Sequence, residues 1–230
     1  MVILNIETST RVCSAALTIG GVPVATRIGQ AGESHAVLLP RFVDELLSEL
    51  KQKNLSLEAV ALAEGPGSYT GLRIGASTAK GICYAMRIPL IPIPTTEVLV
   101  ACMVAQHSVP NDAVLCPMID ARRMEVYTAL YDTNIRPLCP IEAKVITTDT
   151  QLTDDKNRPV YFFGDGAAKC RDILENEQTH FVDGIELNAQ YMGVLAEQTE
   201  RYPQVPDLAY YEPFYLKEFI AAPSHVKGLE

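Results

Sequence analysis

The strongest constraint on the fold is an internal repeat, in which the second half of the chain restates the pattern of the first. With one constant offset, the apolar run 2–7 aligns with residues 115–120, and each run ends in an acidic residue. The same offset superimposes two turn signals, Gly20-Gly21 and Thr133-Asn134, each lying between β-type segments. The pattern therefore predicts two lobes of related architecture, although two unrelated α/β segments of similar size remain the alternative.

Periodicity within each half predicts its elements. In the first half we expect strands at 2–7, 13–19, 22–28, 59–63 and 90–93, and helices at 34–53, 72–86 and 95–106. In the second half we expect strands at 115–120 and 160–163, a helix ending near residue 175, and a helix over 188–201.

Duplicated β-β-β-α-β-α lobes are typical of the actin-like architecture that sugar kinases and heat-shock ATPases share. Such folds place a nucleotide between the lobes. We expect an N-terminal lobe at 1–108, which binds a partner, a C-terminal lobe at 109–218, and a tail at 219–230. The final Leu229 and Glu230 are equally compatible with native sequence and with residues added for expression.

Composition excludes several classes of protein. The 28 acidic and 19 basic side chains give a net charge of −9, which argues against a free-standing nucleic-acid binder. The 6 cysteines and 4 histidines have no zinc-site spacing, so we expect no metal site. No apolar run is long enough to span a bilayer, and the start lacks the pattern of a signal peptide. We therefore expect a cytoplasmic protein without a membrane partner.

Two segments could contact a nucleotide or another anion. The first is Thr8-Ser9-Thr10, which follows Glu7 at the end of the first strand. The second is the Gly-rich loop 64–71, in which Gly67 and Ser68 precede a helix whose free N–H groups could bind an anion. The loop lacks the Gly-Lys-Ser/Thr ending of a P-loop. A purely structural turn is the alternative for the first segment, and Thr70 could be the N-cap of the helix.

Two helices have surfaces that suggest a protein partner. The helix at 34–53 is apolar over more of its surface than one face needs, which predicts burial on two sides. The next helix has a row of small residues at four-residue spacing, where glycine costs about 1 kcal/mol relative to alanine. We expect these surfaces to form an interface, and the alternative for the row is packing on the chain's own sheet. The residues of this predicted interface are Leu38, Leu39, Phe42, Val43, Leu46, Gly71, Gly75 and Ala79.

Few other residues suggest chemistry. Arg122 and Arg123 occupy the turn of the second lobe that corresponds to Thr8-Ser9, where they could hold an anion or a partner's carboxylate, or simply form a charged turn. His35 and His107 lie near helix ends without an accompanying nucleophile and carboxylate, so we expect no catalytic residue.

Several motifs, in order, resemble the bacterial TsaB (YeaZ) family. The most specific is the segment 65–75, Gly-Pro-Gly-Ser-Tyr-Thr-Gly-Leu-Arg-Ile-Gly. It is accompanied by the segments 3–10, 119–127 and 212–216, while the chain after about Leu138 matches only loosely.

The resemblance implies an actin-like fold and a part in forming N6-threonylcarbamoyladenosine in tRNAs that read codons beginning with A. In that pathway TsaD transfers the threonylcarbamoyl group, helped by TsaB and by the ATPase TsaE. Family members associate with TsaD through helices of their first lobes and form homodimers through a similar surface. The resemblance implies that ATP, ADP and metal bind mainly to the partner proteins, without a tightly bound cofactor here, and that tRNA contacts this subunit indirectly or weakly.

The resemblance also implies a subunit without catalytic activity. TsaD binds its metal with two histidines four residues apart, and the corresponding positions here are Thr95 and Leu99, which cannot replace them. The alternatives are an active actin-like kinase or ATPase and a homodimeric binding protein. If the predicted interface is correct, Gly75→Leu should weaken the complex with TsaD and leave the monomer folded.

Overall fold

The first half of the chain folds into a mixed sheet of five strands with the order β3-β2-β1-β4-β5. The computed structural model describes residues 1–152, 158–205 and 207–217. The strands are β1 (Val2–Glu7), β2 (Ser14–Ile19), β3 (Val22–Ile28), β4 (Ala59–Gly65) and β5 (Leu90–Pro94). β1, β2 and β3 are antiparallel, whereas β4 and β5 run parallel to β1 and to each other.

The second half repeats this topology. Its strands are β6 (Val114–Asp120), β7 (Glu125–Thr128), β8 (Glu142–Val145), β9 (Val160–Phe163) and β10 (Thr179–Val182). They form a sheet with the equivalent order β8-β7-β6-β9-β10 and the same strand directions. Thr133 and Asn134 lie in a turn that the Asp132 N–H closes by donating to the Arg136 carbonyl at 3.0 Å. The predicted duplication and the actin-like fold are confirmed.

Three long helices accompany the first sheet, namely α1 (His35–Gln52), α2 (Tyr69–Met86) and α3 (Thr95–Gln106). Ser34 occupies the N-cap position of α1, as predicted, but its side chain makes no capping hydrogen bond. Helix α2 begins three residues earlier than predicted because Ser68, not Thr70, is its N-cap. The Ser68 hydroxyl accepts from the Gly71 N–H at 3.3 Å.

Helix α3 connects the two halves. Every residue from Thr95 to Met103 is buried, as expected of a helix with apolar residues on all sides. The hydrophobic core around it combines Ile3 and Ala16 of the first sheet with Leu115 and Phe163 of the second. The two sheets therefore share one continuous core.

The helix predicted over 188–201 is wrong. The chain instead forms a 3-10 turn at Ala189–Tyr191 and the one-turn helix α5 (Gly193–Ala196), and turns follow to Tyr202. Tertiary contacts decide this geometry, because the α-carbon of Gly193 packs directly on Thr18 of β2. The helix expected after Gly166 is also divided, into a 3-10 turn at Ala168–Cys170 and α4 (Arg171–Leu174).

Within the part of the chain that the structure describes, no helix is both long and apolar enough to cross a membrane. The predicted tail at 219–230, including Leu229 and Glu230, lies outside the described residues.

We expect Gly193→Ala to destabilise the fold, because its Cβ would lie 2.6 Å from Cγ2 of Thr18, at the contact between the two halves. Overpacking of this kind costs about 1–3 kcal/mol and should lower the urea midpoint. Gly81→Ala is the matched control: Gly81 lies in α2 with nothing within 4 Å of an added Cβ. That substitution should stabilise the protein by about 0.4–1 kcal/mol. Equal midpoints for the two variants would contradict the close packing at Gly193.

Candidate functional site

The end of β1 holds a buried carboxyl group. Glu7 is 0% exposed, and its Oε1 accepts from the backbone N–H and the hydroxyl of Ser9 at 2.5 and 2.6 Å. Its Oε2 is buried without a hydrogen-bond partner. Burial raises the pKa of Glu7 to about 7, and the nearby carboxyl of Asp165 adds to the effect. Glu7 is therefore partly protonated at neutral pH.

The Gly-rich loop lies directly on this first hairpin. A Cβ added to Gly67 would be 2.4 Å from the Ser9 carbonyl oxygen, and one added to Gly71 would be 2.0 Å from the Thr8 carbonyl oxygen. The Ser68 N–H donates to the Ser9 carbonyl at 2.6 Å, and the Thr8 hydroxyl donates to the Gly71 carbonyl at 2.8 Å. The two loops are therefore in backbone-to-backbone contact.

This contact changes the predicted anion site. Ser9, Thr10, Gly67 and Ser68 line a cleft, but Thr8 is fully buried and its hydroxyl faces α2. Including Thr8 among the anion contacts was therefore wrong. The N–H groups of Ser68 and Gly71 at the start of α2 already have acceptors within the chain. A phosphate group cannot enter between the hairpin and the helix without separating them.

The cleft itself has a volume of about 800 Å³. Its second wall comes from the other sheet, where Asp120, Arg122 and Asp165 face Ser9 and Thr10. Although burial opposes it, hydrogen bonds from Lys169 and from the Arg122 N–H lower the pKa of Asp120. Burial raises the pKa of Asp165, whose Oδ1 accepts from the Asp120 N–H at 2.9 Å. In the described part of the chain, no three His, Cys, Asp or Glu side chains are placed to hold a metal ion.

The predicted turn arginines reach this cleft by an uncommon backbone conformation. Arg122 and Arg123 have φ values of +69° and +50°, in the left-handed region, and they lie in the three-residue loop 122–124 that the Ala121 N–H closes by donating to the Glu125 carbonyl at 3.1 Å. Arg122 lines the cleft, and Arg123 is exposed beside it. His35 lies at the opposite rim, with its Nε2 at 2.9 Å from the Thr10 carbonyl oxygen. His107 is exposed at the end of α3, away from the cleft.

A segment for which the sequence predicted neither an element nor a site covers one side of the cleft. We call residues 207–217 the strap. The Lys80 ammonium donates to the carbonyls of Ala209 and Tyr211, at 3.2 and 3.0 Å. The Phe214 N–H donates to the Glu64 carbonyl at 2.8 Å, which attaches the strap to the end of β4. The available sequence signal was its aromatic content, at residues 210, 211, 214 and 215.

The strap ends against the second sheet. The ring of Tyr215 lies 5.1 Å from that of Tyr69, at an angle of 41°. Lys217 forms an ion pair with Glu125 of β7. The strap thus extends from the first half of the chain to the second.

The predicted interface residues lie inside the chain's own fold. The predicted interface residues that lie on α1 pack in the core between α1, α2 and the first sheet. None of them is more than 7% exposed. A Cβ on Gly75 would lie 2.4 Å from the Thr8 hydroxyl oxygen, and Ala79 is fully buried. The helix row therefore packs on the chain's own first hairpin, and these residues do not offer a free surface. They are Leu38, Leu39, Phe42, Val43, Leu46, Gly71, Gly75 and Ala79.

The expectation for Gly75→Leu is therefore corrected. The added side chain would collide with Thr8 inside the monomer, so the variant would disturb the fold itself rather than a complex. The sequence spacing identified a close backbone approach, but the approaching backbone belongs to the same chain.

Thr95 and Leu99 lie on the first turns of α3. The Thr95 hydroxyl accepts from the Gly65 N–H at 3.0 Å, which attaches α3 to the Gly-rich loop. The Leu99 side chain is buried in the shared core against Gly164. Both residues thus have structural contacts in this chain.

We expect Glu7→Gln to stabilise the protein more at pH 8 than at pH 5. The pKa of Glu7 is about 7 in the folded state and near 4.5 in the unfolded chain, so stability is lost as the pH rises through 7. A glutamine keeps an acceptor for Ser9 but has no charge to bury. The substitution should raise the free energy of unfolding by roughly 2–3 kcal/mol more at pH 8 than at pH 5. Urea unfolding at both values measures it, and a gain independent of pH would contradict the burial of an ionisable Glu7.

Comparisons with known proteins agree with this architecture. A family profile described as TsaD, tRNA N6-adenosine threonylcarbamoyltransferase, matches residues 20–221. The tRNA threonylcarbamoyladenosine biosynthesis protein TsaB of Bacillus subtilis is 30% identical over 179 residues, which cover 76% of each chain. The protein of the same name from Haemophilus influenzae is 33% identical over 128 residues, 55% of this chain and 52% of the relative.

The solved structure of YeaZ from Pseudomonas aeruginosa has the same fold. It superimposes with a TM-score of 0.78 at 22% identity, over 93% of this chain and 99% of that one. The sequence match to the TsaB protein of B. subtilis and the duplicated topology together establish that the chain belongs to the TsaB (YeaZ) family.

Proposed function

We propose that this chain is an accessory subunit required to form N6-threonylcarbamoyladenosine in tRNAs that read codons beginning with A. It acts in the cytoplasm by binding the TsaD transferase, together with the ATPase TsaE. The similarity to proteins named for threonylcarbamoyladenosine biosynthesis supports the pathway. The observation that carries the accessory role is the backbone contact between the Gly-rich loop and the first hairpin.

The accessory role follows from what that contact does to the cleft. An actin-like kinase binds nucleotide phosphates at its first hairpin, but here the Ser9 carbonyl accepts the Ser68 N–H in that space. Thr95 and Leu99 lack the imidazole groups with which TsaD holds its metal. We propose that neither ATP nor a catalytic metal binds tightly to this subunit, and that both bind to its partners.

The test is a modification assay reconstituted with TsaD, TsaE and a supply of threonylcarbamoyl-adenylate. Omission of this chain should abolish modified tRNA, and its addition should restore it. Calorimetry of the isolated chain with Mg-ATP should show no micromolar binding and no turnover. Micromolar binding with turnover would instead support an active kinase or ATPase.

We propose that TsaD binds the exposed side of α1 and the exposed part of the last two turns of α2, since the buried sides of both helices are occupied. Tyr84 of α2 is 82% exposed and Val37 of α1 is 69% exposed, which is unusual for large apolar side chains. Gly81 and Ala85 are exposed at four-residue spacing on the same helix. Gly81 has no neighbour within 4 Å of an added Cβ, so the monomer does not explain a glycine there. In the absence of TsaD, the same surface would pair two copies of this chain.

We expect Gly81→Leu to weaken the complex with TsaD at least tenfold without unfolding the monomer. A leucine side chain would fill the space that a partner helix needs, while the isolated helix has room for it. Gly81→Ala is the control for helix propensity, and it should bind better than the leucine variant. Co-elution with TsaD on a sizing column, with circular dichroism of each variant, measures both effects. Unchanged co-elution of Gly81→Leu would refute this placement of the interface.

A further inference from the structure

A line of basic side chains crosses the molecule beside the strap. It runs through two adjoining grooves, the cleft of about 800 Å³ and a second groove of about 500 Å³ between α2 and the strap. Tyr69, Tyr215 and Lys217 line both grooves and form their shared wall. We call this pair of grooves the basic track, and its cations are Arg11, Arg73, Lys80, Arg122 and Lys217.

Most of these cations lack a carboxylate partner. In the described residues, only Lys217 of the five forms an ion pair, with Glu125. Arg73 instead donates to the Tyr69 hydroxyl at 3.0 Å, and Lys80 donates to two strap carbonyls. Neither Arg73 nor Lys80 is paired with a carboxylate in the described part of the chain, where Glu212 is the one acidic side chain that lines their groove.

In the larger cleft, Arg11 and Arg122 share the walls with three acids. Asp120 is paired with Lys169, and the Asp165 carboxylate accepts from the Asp120 N–H at 2.9 Å. The Glu33 carboxylate accepts from the Gln30 N–H. The cations of this cleft are accompanied by acids, so the positive charge of the basic track is concentrated in the smaller groove, which Arg73 and Lys80 line. The five cations of the basic track are thus clustered, although the chain as a whole has a net charge of −9.

The backbone at Arg122 and Arg123 supports a binding role. Both residues adopt left-handed φ values, although Asn and Gly are the usual occupants of such a turn. Two arginines in this conformation are strained, and strain of this kind concentrates at functional sites. Their position keeps Arg122 at the mouth of the cleft rather than along the sheet.

The shared wall adds an aromatic surface. The Tyr69 and Tyr215 rings are in contact, and the Arg73 guanidinium lies 5.4 Å from the centre of the Tyr69 ring. A groove that combines cations with aromatic rings matches the chemistry of single-stranded nucleic acid, whose phosphates need positive charge and whose bases stack on rings. An acidic protein segment would use the charges but not the rings.

We propose that the basic track binds an unpaired stretch of the tRNA during modification. Arg11, Arg122 and Arg73 contact phosphates, and a base stacks at the Tyr69–Tyr215 wall. The inference rests on the proposed function, since it is the assembly with TsaD that brings tRNA to this surface. The overall negative charge keeps the affinity of the isolated chain low, so the track acts as an additional contact within the assembly.

The experiment measures the binding of fluorescently labelled, unmodified tRNA to the assembled complex at several salt concentrations. The variants are Arg73→Gln, Arg122→Gln and the double variant. Each neutralisation should weaken binding about threefold or more at low salt, by a similar factor for different tRNA sequences. Loss of two phosphate contacts should reduce the slope of log K against log salt by about 1–2.

Arg136→Gln is the matched control. Arg136 is an exposed arginine in the turn at the opposite end of the β7 hairpin from Arg122. It should leave affinity and salt slope unchanged. If the double variant behaves as Arg136→Gln does, the basic track is not an RNA contact and the proposal is overturned.

A parallel sizing column separates this proposal from the proposed function. Failure of the unaltered chain to co-elute with TsaD would refute the proposed function. Normal co-elution with unchanged tRNA binding of the double variant would refute the basic track alone. Loss of co-elution for Arg73→Gln would assign Arg73 to a protein interface and overturn its place in the track.

Discussion

The direct contact between the Gly-rich loop and the first hairpin determines most of what this molecule can do. Gly67 and Gly71 let the loop backbone touch the carbonyls of Ser9 and Thr8, at distances that any side chain would prevent. The contact fixes where α2 begins and leaves no space between the hairpin and the first turn of that helix. It also places Gly71 and Gly75 against the chain's own first hairpin, so only the opposite side of α2 is available to another protein. This one contact therefore determines both the shape of the cleft and the side of α2 that a partner protein could bind.

Much of the fold could be predicted because hydrophobic period and turn chemistry are local properties. The bounds of β1 and β3 follow from their apolar runs and from the Gly20-Gly21 turn. The offset between the halves placed β6 because both first strands end in an acid. The helix expected after residue 188 failed because packing of Gly193 on Thr18 overrides local propensity.

The candidate site was less predictable, since it depends on which parts of the chain become neighbours. The four-residue spacing of Gly71, Gly75 and Ala79 indicated that another backbone approaches α2 closely. Spacing alone does not show whether that backbone belongs to a partner protein or to the chain's own hairpin. The same holds for Glu7: the sequence places it at the end of the first strand, but only the fold shows that it is buried and that burial raises its pKa to about 7. The position of the strap could not be predicted, although residues 212–216 match a family motif, because Lys80 holds the strap by its backbone carbonyls, which any residue type supplies.

The shared core around α3 has a consequence for how this duplicated protein holds together. Residues 95–103 are covered by both sheets, so the apolar surface around α3 is buried only when both halves are folded. The two halves should therefore unfold in one cooperative transition, and neither should persist as an autonomous fragment. The two halves have the same topology, yet they exist physically as a single folding unit.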